Sequence, residues 1–271
     1  MIAPAPSLPA SLTEAETRAL RRFQIWLEKN LPGQVRRFIL FGSKARGEVH
    51  PHSDMDLFVE LSEGAPEQRD KVLDFALALM AEEEIDLSVI INDTAHVQSE
   101  IDLGTPFIRN VALDGLLLIG ESIQVGKGKP DEVARAFFES AHHRLNATRL
   151  LIDGQEWRDA VSRAYYAMLD AADGVLAAIG LTPQSHAGTI SLFSLHMVKT
   201  GRVERRYSRL LDEIQKSRLE ADYERMIPVT EEKARSALAT AEDFVATTAA
   251  LLPQLLAEPA QADSNGGEAG E

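Results

Sequence analysis

Residues 41–57 read FGSKARGEVHPHSDMDL. The chain leaves a hydrophobic run, Phe38-Ile39-Leu40-Phe41, through Gly42-Ser43 and re-enters one through Ser53-Asp54-Met55-Asp56. Two acids one residue apart at the mouth of a strand are poor core material, so either partners neutralise them or they serve chemistry. Side chains two apart on a strand share a face. Met55, Leu57, Val59 and Leu61 therefore face one way, and Asp54, Asp56 and Phe58 the other.

Working outward, Val35 to Phe41 reads as a buried strand. Before it, Thr13-Glu14-Ala15-Glu16 has the form of a capping box. Leu20, Phe23 and Leu27 follow at helical spacing, which predicts an amphipathic helix over 13–30 that Leu31-Pro32-Gly33 ends. Downstream, 67–83 reads as a helix and Ile85 to Ile91 as a third strand. On that strand Asp86 and Ser88 face away from Ile85, Leu87, Val89 and Ile91. A helix is expected over 104–113 and an edge strand over 115–119.

The pattern changes at Gly126-Lys127-Gly128-Lys129-Pro130, a flexible basic linker with no phosphate-loop spacing. Beyond it, 130–153, 156–179, 186–200, 204–222 and 230–256 read as helices. Val161, Tyr165, Met168, Ala172 and Val175 repeat as the seam of a bundle helix. Tyr165 and Tyr166 read as core, with Tyr223 at a rim. The expected organisation is a disordered arm (1–12), an α/β domain (13–125), the linker (126–130), a helical bundle (131–257) and a disordered tail (258–271). The fold class is α+β, a mixed-sheet domain followed by an all-α domain.

Asp54 and Asp56 converge on one spot, and Asp86 reaches it if the third strand pairs beside the second. Carboxylates crowded in this way resist ionising unless a cation sits between them. Oxygen donors favour a hard cation, and Mg²⁺ typically takes one or two carboxylates plus substrate phosphates. Gly42-Ser43, between a strand and a short helix, suits a phosphate: glycine permits close approach, and helix-start amides and the hydroxyl donate. Lys44 or Arg46 adds positive charge. Taken singly, each feature is ordinary: a solvated strand end, a loop, the polar face of a half-buried strand. Their combination is what points to chemistry.

Gly42-Ser43, ten intervening residues, then Asp54-Met55-Asp56 resembles the signature of the minimal nucleotidyltransferase group in the polymerase-β-like superfamily. The likeness spans about 15–120. It implies a Mg²⁺-dependent transfer of a nucleotide, AMP from ATP foremost, to an acceptor hydroxyl. Asp54, Asp56 and Asp86 would be the metal ligands and catalytic carboxylates, Asp86 serving as ligand or general base. Gly42, Ser43 and Arg46 would hold the nucleotide. Residues 130–250, through SRAYYAMLDAADGVLAAIG and SRLEADY, resemble the HEPN helical domain. Many HEPN proteins are RNases built on Arg, four to six residues, then His. Here Arg218 is followed by Tyr223, Glu224 and Arg225 with no His in the window, and Asp170 stands where relatives often carry His after Arg163. Arg135 and His142 have workable spacing that chance easily supplies. No RNase activity is expected. His186 reads as a capping or packing residue.

The resemblance implies a protein acceptor, as in toxin–antitoxin pairs in which such a transferase adenylylates its HEPN partner, and a homodimer through the bundle. Two other readings stay open: transfer to a small cationic molecule such as an aminoglycoside, and a non-catalytic nucleotide sensor that binds a partner. Of the 271 residues, 45% are hydrophobic and none is cysteine, which excludes disulfides, thiolate zinc sites and Cys nucleophiles. A net charge of −14 disfavours general nucleic-acid binding. With no membrane-length apolar run and no signal-peptide pattern, a cytoplasmic protein without membrane contact is expected.

Overall fold

The computed structural model describes residues 8–48, 53–62, 66–223 and 228–258. The expected tail beyond Glu258, the first seven residues of the expected arm, and the side chain of Tyr223 lie outside them. The chain folds as two compact units that divide between Gly128 and Lys129.

The first unit runs α1 (Glu14–Asn30), β1 (Val35–Phe41), α2 (Gly42–Arg46), β2 (Met55–Leu61), α3 (Pro66–Glu83), β3 (Leu87–Asp93), α4 (Thr94–Leu103), α5 (Pro106–Asp114) and β4 (Leu116–Gly120). The capping box forms: Glu16 N donates to Thr13 Oγ1 and Thr13 N to Glu16 Oε2. The sheet order is β3-β2-β1-β4, with β2–β3 parallel and β1 antiparallel to both β2 and β4. The predicted alternation holds. Met55, Leu57, Val59 and Leu61 join Phe38 and Leu40 in a core under α1 and α3, while Phe58 and Ile39 pack with Val97, Ile108 and Val111 on the opposite face. Both faces are covered, so residues 38–41 of β1 are apolar without interruption.

Four expectations need correction here. β3 starts at Leu87 instead of Ile85, because Glu84 takes φ +54° and ends α3 in a left-handed turn. The parallel ladder begins at Met55 and Leu87, so Asp86 stands just outside it, its carbonyl accepting from Met55 N. A helix not foreseen, α4, opens on the Asp93 cap and closes on Gly104, and the helix expected over 104–113 starts on the Thr105 cap with Pro106. The arm is docked from Leu8 onward: Leu8 and Leu12 pack on the first core, and Ser11 Oγ donates to Lys44 O at 2.5 Å. The linker does not hang free at its start, since Arg109 Nη2 donates to Gly126 O and Lys127 O.

The second unit is helical: α6 (Pro130–Asp153), α7 (Trp157–Ala178), α8 (His186–Phe193) continued by a π-turn (Ser194–Val198), α9 (Arg206–Tyr223) and α10 (Glu231–Ala257). The π-turn splits the helix expected over 186–200. The seam residues of α7 are fully buried, and α7 is the central helix against which α6, α8, α9 and α10 pack. No helix among the described residues is long and apolar enough to cross a membrane.

Candidate active site

β1 and β2 bring the two halves of the opening stretch together. Phe41 pairs with Asp56 across the antiparallel ladder, so the next residue, Gly42, lies against the Asp56 carboxylate. Gly42 has φ +78°, a conformation side chains disfavour. A Cβ there would overlap Asp56 Oδ2 and stand 3.1 Å from its Cγ. Glycine is required at this point twice over, by backbone and by space. No side chain caps the start of α2, and the Ser43 hydroxyl makes no hydrogen bond among the described residues. Free amides and a free hydroxyl therefore stand beside the carboxylates.

The Asp54 charge acts on Asp56. Burial raises the pKa of Asp56, and the neighbouring Asp54 charge raises it further, while a hydrogen bond from Ser88 and the Arg46 charge pull it down; the net direction is up. Ser88 comes from the parallel neighbour, in register with Asp56. Asp54 is exposed, and register places Asp86, also exposed, beside it at the mouth of the β2–β3 pair. Asp86 is not among the charges that move Asp56. Among the described residues no group of three or more carboxylates or imidazoles is gathered closely enough to hold a metal ion. Asp54 and Asp56, donors by oxygen alone, nevertheless suit a hard cation that completes its shell from substrate phosphates.

Arg46 is oriented from both sides, by Glu48 (3.0 Å) and by Asp114 at the end of α5 (3.2 Å). Lys44 is not a site cation. Its ammonium is buried in an ion pair with Glu16, the residue that closes the α1 capping box. Burial alone would raise the pKa of Glu16; the bonds from Lys44 and Thr13 outweigh it and hold the carboxyl below its ordinary value. Ser88 and Asp114 were missed by sequence reasoning. Ser88 stands two residues from Asp86 in the sequence, on the face read as polar, a signal that was there to use, whereas Asp114 carries no local signal.

In the helical unit, Asp170 accepts from Ser140 Oγ (2.6 Å) and Arg144 Nε (2.5 Å). Arg135 turns to Asp131, one helical turn away, and His142 is exposed. His186 follows the Ser185 cap, with Nδ1 3.1 Å from the Tyr165 hydroxyl. Burial, then the Arg218 charge, hold its pKa below the usual imidazole value. Tyr165 is core, as expected, but Tyr166 is not: it is half-exposed and meets arginines.

Comparison with known proteins agrees with this division. The Nucleotidyltransferase domain family matches residues 23–119, and the HEPN domain family matches 134–251. MJ0605 of Methanocaldococcus jannaschii, whose name marks it as a candidate toxin, is 38% identical over 125 residues, 46% of this chain and 92% of that protein. The UPF0332 protein glr0978 of Gloeobacter violaceus is 39% identical over 85 residues, 31% of this chain and 68% of its own length. Among solved structures, a spectinomycin adenyltransferase, AAD(9), from Enterococcus faecialis overlays 85% of this chain and 99% of its own at 12% identity and a TM-score of 0.49. At that score the overlay carries no argument about substrate.

Proposed function

The chain belongs, through its two units, to the nucleotidyltransferase and HEPN domain families, and from that premise we propose that it is a Mg²⁺-dependent adenylyltransferase that moves AMP from ATP to a hydroxyl of a protein acceptor. The observation that carries this reading is the abutment of Gly42 on Asp56. A phosphate held at the Gly42-Ser43 turn then lies against the carboxylates that would hold its metal.

In this reading Asp54 and Asp56 hold Mg²⁺. A Mg²⁺ ion held there would supply positive charge against the phosphoryl group and the leaving pyrophosphate. The Ser43 hydroxyl and the uncapped amides of α2 donate to nucleotide phosphate oxygens. Arg46, fixed by Glu48 and Asp114, keeps a positive charge near Asp56. Asp86, at the open mouth, takes the proton from the attacking hydroxyl as its oxygen bonds to the α-phosphorus and the bond to pyrophosphate breaks. The candidate toxin among the relatives supports a toxin–antitoxin setting, with a protein as acceptor and a partner or second copy bound through the helical unit.

The test is intact mass of the full chain after incubation with Mg²⁺ and α-labelled ATP, beside the Asp54→Ala/Asp56→Ala variant. Gain of AMP by the wild type alone, or label on an added protein acceptor with the wild type alone, is the expected result. No metal-dependent turnover of ATP with any protein or aminoglycoside acceptor would overturn the reading in favour of a nucleotide sensor.

A further inference from the structure

β3 is an end strand of the four-stranded sheet, and its outer edge is unguarded. The run Leu87-Ser88-Val89-Ile90-Ile91-Asn92 holds no charge, no proline and no glycine. A free edge is usually blunted by lysine, proline, a bulge or a very short strand, because its unpaired amides and carbonyls accept any other strand. The opposite edge is managed in this way: β4 has 5 residues, meets β1 through a register shift and stops at Gly120. β3 has 7 residues, and its ladder with β2 runs without a shift.

α3, which packs on β3, carries an apolar flank beside that edge. Its other flank belongs to α1, through the Trp26–Phe75 stack at 4.6 Å and the ion pair of Arg22 with Glu82. At about 100° per residue, Arg69, Leu73, Leu77 and Met80 fall on the flank away from α1. Leu77 is 64% exposed and Leu73 37%. Arg69 stands at one end of this flank, and Glu84, just past the helix, at the other. Both are exposed, and neither is ion-paired among the described residues.

We propose that two copies of this chain join β3 to β3 in antiparallel, continuing the sheet across a twofold axis at Ile90. Self-complementarity names a second copy as the occupant. About Ile90 the facing pairs are Ile90 with Ile90, Val89 with Ile91 and Ser88 with Asn92, so apolar meets apolar and polar meets polar. Asp93, opposite Leu87, is already held by the α4 cap. Every pair joins residues of the same face, so both copies of α3 lie on one side of the joined sheet. They run antiparallel there, with Leu77 near the axis and Arg69 of one copy level with Glu84 of the other. The twofold axis makes that opposite-charge match twice, which is the geometry of an isologous interface. The interface uses none of Gly42, Ser43, Asp54 or Asp56, so it stands or falls apart from the transferase reading.

Sedimentation equilibrium of the full chain over a dilution series, beside amide hydrogen exchange of residues 87–92, tests this. Reversible association is expected, with exchange at the strand slowing as concentration rises. Leu77→Glu sets two carboxylates face to face near the axis and is expected to weaken association about tenfold or more. Leu77 is mostly exposed, so the variant is expected to fold. Arg69→Glu and Glu84→Arg each set like charges opposite one another and should also weaken association, whereas Arg69→Glu/Glu84→Arg restores both pairs and should recover it. The proposal is overturned by a chain that stays monomeric, by exchange at 87–92 that ignores concentration, by association that Leu77→Glu leaves intact, or by a double variant no better than the single ones.

Discussion

Gly42 is packed so closely on Asp56 that no side chain fits between them. This contact joins the Gly-Ser turn after β1 to the acidic mouth of β2, two pieces of sequence separated by a loop. Gly42→Ala is therefore expected to move the carboxylate, the turn, or both. The positive φ costs about 1–2 kcal/mol for a residue with a Cβ, which a domain of this size tolerates. Misplacement of a reacting group by about 1 Å costs on the order of 10²-fold in rate. The expected outcome is a chain that still folds by circular dichroism and has lost AMP transfer by about 100-fold or more. Ser43→Ala, which leaves the backbone alone, is expected to lose less.

The buried ion pair between Glu16 and Lys44 fixes the same turn from behind. Lys44→Met leaves the Glu16 carboxylate buried without its cation, and removal of one partner of such a pair costs about 3–5 kcal/mol. Glu16→Leu/Lys44→Met removes both charges and is expected to recover part of that loss, short of the whole because Glu16 also closes the capping box. Because the folded pKa of Glu16 is depressed, the stability that it contributes is present above its unfolded value, near 4.3, and is lost as pH falls through the folded one. Denaturant unfolding of wild type and the two variants at pH 7 and pH 4 checks both the ranking and the sign.

The raised pKa of Asp56 makes a statement about metal. A carboxyl whose folded value exceeds its unfolded value, near 3.9, destabilises the fold as pH rises through that interval. A bound cation reverses this. Mg²⁺ is expected to raise the unfolding temperature at pH 7 to 8, by an amount equivalent to about 1.4 kcal/mol at ten times its Kd. The effect should shrink as pH falls toward 4 and vanish in Asp56→Asn, which should itself unfold at higher temperature than wild type in metal-free buffer. Thermal scans with and without Mg²⁺ decide it.

How much of this was legible in the sequence depends on whether a feature is local. The bounds of β1 and β2 and the two faces of β2 follow from strict alternation and were readable. β3 was misplaced by two residues because a single left-handed residue, Glu84, sets its start, and no periodicity reports a φ. α4 was invisible because it buries little: Val97 is its fully buried residue, so its pattern is thin. Lys44 and Arg46 looked alike as cations near a turn; only packing against α1 sends one inward and only α5 holds the other. Tyr165 and Tyr166 are adjacent letters about 100° apart on a helix. The seam predicted the first and could say nothing of the second, whose arginines come from three helices.

Asp173 supplies a pH dependence that belongs to the helical unit alone. Burial first, then the Asp170 charge, push its carboxyl up to about 7, against the lowering effect of the Thr189 hydrogen bond. Its unfolded value is near 3.9, so between pH 4 and 7 the folded chain holds a proton that the unfolded chain has released. Stability must therefore fall with rising pH across that window and level off above it. A shift of this size corresponds to roughly 2–4 kcal/mol over the whole interval. Asp173→Asn keeps a group that accepts from Thr189 Oγ1 and cannot ionise, so it is expected to match wild type near pH 4, exceed it at pH 8, and flatten the slope between. Unfolding followed at five or six pH values in metal-free buffer measures this. An unchanged slope in the variant would show that Asp173 ionises without penalty where it sits between α7 and α8.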